Sequence, residues 1–195
     1  MKYRELENLK RKKFFKVEDV AETLSIKRTS AQVLCSRYVK KGYLLRLKNN
    51  FYLLANSWDN FNFENFLGVA NFLQVPSYIS FMSALSIYDI TTQLQRDFFE
   101  SASLKRTARF NTKGVEFNFY KLKKEFYFGY SKSKNIFIAS KEKAFVDAIY
   151  LYSFGKYSID FDSLSLDKLN REKLLKIIEI YPDKTKNIII KLCKI

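Results

Sequence analysis

Two short amphipathic stretches, three residues apart, constrain this chain more than any other feature. In residues 17–24 (VEDVAETL), Val17, Val20, Ala21 and Leu24 fall at i, i+3, i+4 and i+7, one apolar helical stripe. Residues 28–40 (RTSAQVLCSRYVK) repeat the stripe with Ala31, Leu34, Cys35 and Tyr38. Neither segment can bury its stripe alone, and the link Ser25–Lys27 is short enough to fold one onto the other as a helix-turn-helix. A charged helix is expected over residues 2–13. Gly42 can end the second amphipathic helix in a left-handed conformation. LLRLK, Asn49-Asn50 and FYLLA then read as a hairpin, and because Asn tolerates positive φ a type I′ turn is expected. A basic hairpin after a helix-turn-helix is a wing, so residues 1–55 are expected to form a winged helix-turn-helix domain.

Charge gives that module a partner. The chain of 195 residues has a formal charge of +15. Residues 1–54 hold fourteen Lys or Arg against five Asp or Glu, and the other 141 residues add only six to the net charge. A uniform lysine bias would spread the excess, whereas clustering points to a polyanion. On the second helix, Arg28, Thr29, Gln32, Ser36, Arg37 and Lys40 lie off the apolar stripe, with Lys27 and Ser30 at its N-terminal end. Such a helix enters the major groove, where Arg pairs with guanine, Gln with adenine, and Ser or Thr with bases or phosphates. Arg46, Lys48 and the Asn49-Asn50 tip would reach phosphates or the minor groove. The partner expected is double-stranded DNA. RNA and a protein-docking role are weaker alternatives, since no exposed aromatic strand is present to stack bases.

Residues 56–195 are expected to form an α+β domain, a small, mostly antiparallel sheet flanked by helices. Helices are expected at 60–74, 80–88 with Ser80 as cap, 141–154 with Ser140 as cap, about 166–180, and 183–194. Strands are expected at 98–104, 115–122, 126–130 and 135–140, from aromatic and β-branched content with partial alternation. Within 141–154, Ala144, Phe145, Ala148 and Leu151, or Ile149 and Tyr152, would face the core. Lys105, Arg106, Arg109 and Lys113 make a second basic cluster, either a solvated hairpin or another nucleic-acid contact.

Chemistry is sparse. Histidine is absent, which removes the commonest general base and zinc ligand. Cys35 and Cys193 have no metal or redox spacing, and no phosphate loop, dinucleotide fingerprint or nucleophile elbow occurs. A magnesium nuclease built on Asp97, Glu100 and Lys105 is a weak third reading. No cofactor, metal or catalysis is expected. No secretory segment or 18-residue apolar run stands in the sequence, so a cytoplasmic protein without membrane contact is expected.

Three segments carry a family likeness. GYLLRLKNNFYLLA (42–55), PSYISFMSALSIYDI (76–90) and IASKEKAFVDAIYL (138–151) occur in the order found in the AbiEi antitoxins of bacterial abortive-infection (type IV toxin–antitoxin) systems, which the chain resembles. Lys141 replaces the usual Pro of the third segment, and Asn50 stands where the hairpin Gly often lies. The resemblance implies an autorepressor whose winged helix binds operator repeats upstream of its own operon. Its C-terminal domain would counter a nucleotidyltransferase-like toxin. Glu142, Lys143 and Asp147 are the polar positions of the third segment, read first as structural and second as a toxin-facing surface. A transcription factor whose second domain senses an unrelated ligand or partner is the alternative.

Overall fold

The computed structural model describes residues 2–93 and 96–195, which form two compact units, 1–62 and 63–195. The first unit opens with α1 (Lys2–Leu6), continued by a 3-10 turn over Glu7–Arg11, so the expected first helix is present but shorter and tightens before its end. It continues with α2 (Val17–Thr23), α3 (Arg28–Lys40), a hairpin of β1 (Leu44–Lys48) and β2 (Phe51–Leu54), and α4 (Ala55–Trp58). The two stripes meet as their spacing requires. Val17, Val20, Ala31 and Cys35 are buried in one cluster with Phe15, Leu44 and Leu54, and Leu34 and Tyr38 pack against it. The unit runs past the expected end at 55 because Trp58 of α4 is buried and α4 packs on β2.

Both helices end the same way. After α3, Gly42 takes φ +73, its N–H donates to Val39 O, and the Tyr43 N–H donates to Tyr38 O. The Tyr38 and Tyr43 rings close this cap edge to face at 5.6 Å. After α2, Ser25 takes the left-handed position at φ +49, with Ser25 N–H to Glu22 O and Ile26 N–H to Ala21 O. The turn between the helices is therefore a C-cap that leads directly into α3.

The hairpin departs from the expected type I′ turn. Asn50 alone has positive φ (+59), where type I′ needs it at both central positions, and a register shift falls between Arg46 and Lys48. Asn50 is held in that geometry from outside the turn. Its Oδ1 accepts from the Val17 N–H at 3.2 Å and its Nδ2 donates to Glu18 at 2.9 Å. The tip is thus bonded to the start of α2.

The second unit is built on a six-stranded sheet of order β5-β6-β4-β3-β8-β7: β3 (Ser77–Ile79), β4 (Phe98–Ser103), β5 (Ala108–Thr112), β6 (Val115–Lys121), β7 (Tyr130–Ser133) and β8 (Ile136–Ala139). β4 runs parallel to β6 and β3 parallel to β8, so the sheet is mixed and larger than expected. Of the expected strand 126–130, Phe126 is buried at the end of a 3-10 turn (Lys124–Phe126), 127–129 are irregular, and Tyr130 opens β7. Lys113-Gly114 and Lys134-Asn135 both have positive φ and turn the β5–β6 and β7–β8 hairpins. Helices α5 (Phe63–Leu73), α6 (Phe81–Ile87), α7 (Lys141–Ser153), α8 (Arg171–Ile178) and α9 (Asp183–Cys193) complete the unit.

Helix α7 is its centre. α6, α8, α9 and β8 all pack on it, and it is buried on nearly every face, including Glu142, Lys143 and Asp147. Ser140 caps α7 as expected, its Oγ accepting from the Lys143 N–H at 3.2 Å. Tyr152, one of the residues expected to face the core, is 38% exposed. Among the described residues, no helix is long and apolar enough to cross a membrane.

Candidate nucleic-acid interface

The side of α3 away from the core carries the residues singled out for DNA. Lys27, which precedes the first turn, and Arg28, Thr29, Ser30, Gln32, Ser36 and Arg37 are all exposed. The helix buries Ala31 and Cys35 and leaves its polar positions to solvent, the arrangement a groove-binding helix needs. One residue escaped the sequence reading. Val33 is 51% exposed and lies with Thr29, Ser30 and Arg37 along a shallow depression. Its signal was an apolar residue off the stripe, and an exposed valine among donors suits a thymine methyl.

Not every candidate is equally available. Arg28 Nε donates to Glu18 Oε1 at 2.7 Å, and Asn50 donates to the same carboxylate. These two hydrogen bonds, Arg28 first, hold the Glu18 carboxyl down at about 2. The pair is exposed, so water and salt screen it and a phosphate can compete for Arg28. Asn50 differs. Both polar atoms of its side chain are engaged, and they fix the hairpin to α2. Asn49 and Arg46 are exposed and bonded to each other, Arg46 Nη2 to Asn49 Oδ1 at 3.1 Å. Lys48 is half-buried with its ammonium 5.1 Å from the centre of the Phe51 ring, and Lys16 sits at the same distance.

In the second unit, Lys105 and Arg106 are exposed in the β4–β5 connection. The Arg106 carbonyl accepts from Gln74 Nε2 at 2.8 Å. Arg109, on edge strand β5, donates to Asn118 Oδ1 at 3.0 Å. Glu142, Lys143 and Asp147 are not on the surface at all, with 2%, 0% and 0% exposure. The toxin-facing reading of these three is therefore corrected, and their role is internal.

Lys143 and Asp147 form a fully buried ion pair. Asp147 also accepts from Ser80 Oγ at 2.8 Å, Tyr78 OH at 2.9 Å and Tyr181 OH at 3.3 Å. The Lys143 ammonium donates to Tyr78 OH at 3.0 Å and faces the rings of Tyr78, Phe128 and Tyr181 within 5.9 Å. Burial pushes the lysine down and the carboxyl up, and the contact between them opposes both shifts. Gly129 admits the lysine stem. At φ +69, a Cβ there would stand 3.0 Å from Lys143 Cγ. Glu142 ties the start of α7 to the start of α8 by accepting from the Asn170 N–H at 3.1 Å.

Ser80 precedes α6 but does not cap it, because its hydroxyl points to Asp147. Glu100 of β4 takes over that task, accepting from the Met82 N–H at 3.1 Å. Tyr157 OH at 2.7 Å and Tyr120 OH at 3.3 Å complete its shell. Burial raises the Glu100 carboxyl to about 7 against these bonds. The nuclease grouping does not assemble: Glu100 is buried among hydroxyl and amide donors while Asp97 and Lys105 are exposed. Among the described residues no group of three His, Cys, Asp or Glu is placed to hold a metal ion.

No protein-family model matches the chain, and no curated protein matches it either. Among solved structures it is similar to the Rv2827c protein from Mycobacterium tuberculosis, with a TM-score of 0.64 over 97% of this chain and 74% of that one. At 10% sequence identity, that likeness establishes a shared fold and leaves function to the chemistry of the residues.

Proposed function

We propose that the N-terminal unit is a winged helix-turn-helix that binds double-stranded DNA, and that the chain is an antitoxin repressing its own operon. The observation that carries this is α3. Its buried side holds Ala31 and Cys35, and its outward positions from Lys27 to Arg37 present cations and hydrogen-bond donors at helical spacing, beside a basic hairpin. In the groove, Gln32 and Arg37 read base edges, Val33 packs on a thymine methyl, and Arg46 and Lys48 hold phosphates. The antitoxin half rests on the likeness of the three sequence segments to the AbiEi antitoxins. Since Glu142, Lys143 and Asp147 are internal, contact with a nucleotidyltransferase-like toxin would use other surfaces of the second unit.

A mobility-shift assay on the DNA upstream of its own gene tests the reading. A shift that weakens by orders of magnitude between low and moderate salt is expected, since several phosphate contacts release counterions. Folded protein that shifts neither that DNA nor any other duplex would refute it. For the antitoxin half, growth rescue by the full chain on co-expression with a toxin-like gene immediately downstream is expected, and no rescue would confine the proposal to repression.

A further inference from the structure

The second unit holds a cleft of about 690 Å³ between the end of β6 and the C-terminal part of α7. That is the size of pockets that bury a small organic ligand. Its lining sets Tyr120, Tyr150 and Phe154 among Lys121, Lys123 and Lys156, with no carboxylate among the described residues that line it. Phe154 is 47% exposed, and the ammonium of Lys184 lies 5.7 Å from its ring centre. Lys123 has a neighbour of opposite charge, Glu125 at 3.5 Å. Lys121 and Lys156 are exposed and make no ion pair with a carboxylate among the described residues. Pro182, immediately before α9, forms part of the wall, and Asp183, the first residue of α9, carries an exposed carboxylate paired with Lys186 at 3.6 Å.

Phe154 is the exposed ring of this wall, Tyr120 being half-buried and Tyr150 buried, and an exposed ring beside unneutralised cations is what an anion with a flat aromatic body requires. The ring stacks and the lysines meet the charge. We propose that this cleft binds a nucleoside phosphate, either a free nucleotide or the terminal nucleotide of a single strand. It is separate from the DNA surface of α3 and would give the second unit a ligand of its own.

The test uses the full chain at about 150 mM salt, where loose surface attraction is screened. Calorimetric titration would compare ATP, tripolyphosphate and single-stranded hexa-adenylate. Saturable ATP binding is expected. Phe154→Ala should weaken ATP roughly 5- to 100-fold while leaving tripolyphosphate unchanged. Lys121→Glu with Lys156→Glu should weaken both at least tenfold. All three positions are exposed, so the variants should keep the parent melting temperature and upstream-DNA shift. Tighter binding of ATP than of hexa-adenylate assigns the site to free nucleotides, and the reverse order assigns it to strand ends. The proposal is overturned if neither binds at millimolar concentration, if binding ignores both variants, or if tripolyphosphate binds as well as ATP.

Discussion

Helices α3 and α7 are both 13 residues long and both carry charged residues, but they place them oppositely. α3 buries small and apolar side chains and turns its charges to water. α7 is buried almost all round and keeps Glu142, Lys143 and Asp147 inside. A buried charge left unpaired costs several kcal/mol, so each inward charge of α7 has a dedicated partner. An exposed charge costs almost nothing to keep and contributes little to stability. The contrast separates two uses of charge: inside α7 it specifies geometry, and outside α3 it is available to a partner.

The largest expected effect breaks the inner set. Asp147→Ala leaves Lys143 buried without its counter-charge and should destabilise the second unit by about 3–5 kcal/mol in denaturant unfolding. Lys143→Met with Asp147→Leu removes both charges and should cost clearly less than the single change. An equal or greater loss in the double variant would mean that the hydrogen bonds of Tyr78, Ser80 and Tyr181, rather than charge balance, set the energy.

Next is a pH effect. The Glu100 carboxyl is raised to about 7 in the fold, from an ordinary 4.5. The folded state therefore holds the proton over that interval while the unfolded chain releases it. Stability is greatest below about 4.5 and falls as pH rises through about 7, by about 3 kcal/mol for this group. Glu100→Gln should flatten that fall in melts recorded between pH 4.5 and 8. An unchanged profile would show that Glu100 does not titrate there. Gly129→Ala comes after it, at about 2 kcal/mol, because an alanine must hold φ +69 and displace the Lys143 stem.

The smallest stability effect sharpens the outer half of the comparison. Gln32→Ala and Arg37→Ala should each move stability by no more than about 0.5 kcal/mol. They should nevertheless weaken preferred over random DNA by about 1–3 kcal/mol in competition binding. Losses of stability as large as those in α7 would mean that the α3 surface serves the fold.

The legible parts of the chain were those where a local pattern also decided the packing. The stripes at 17–24 and 28–40, the Gly42 cap and both hairpin strands could be read because short-range spacing settles them. Three things could not. Asn50 fits a hairpin turn, but its engagement comes from Val17 and Glu18, more than thirty residues earlier. Ser80 fits a cap, but Asp147 claims its hydroxyl and Glu100 caps α6 from a strand. The parallel pairing of β4 with β6 needs β5 to leave and return at the sheet edge, and no window of sequence displays that. For Glu142, Lys143 and Asp147, by contrast, a structural role was the first reading of the helix itself, while the identity of their partners comes from other elements.

The most direct test of the outward charges of α3 and its hairpin is the salt dependence of duplex binding, followed by fluorescence anisotropy. Three cations, Lys27, Arg46 and Lys48, are exchanged for alanine together. If they meet phosphates in the complex, the slope of log affinity against log salt should fall by about three in magnitude, close to 0.9 for each contact removed. The same slope and the same affinity in parent and triple variant would contradict a DNA-binding role for this surface.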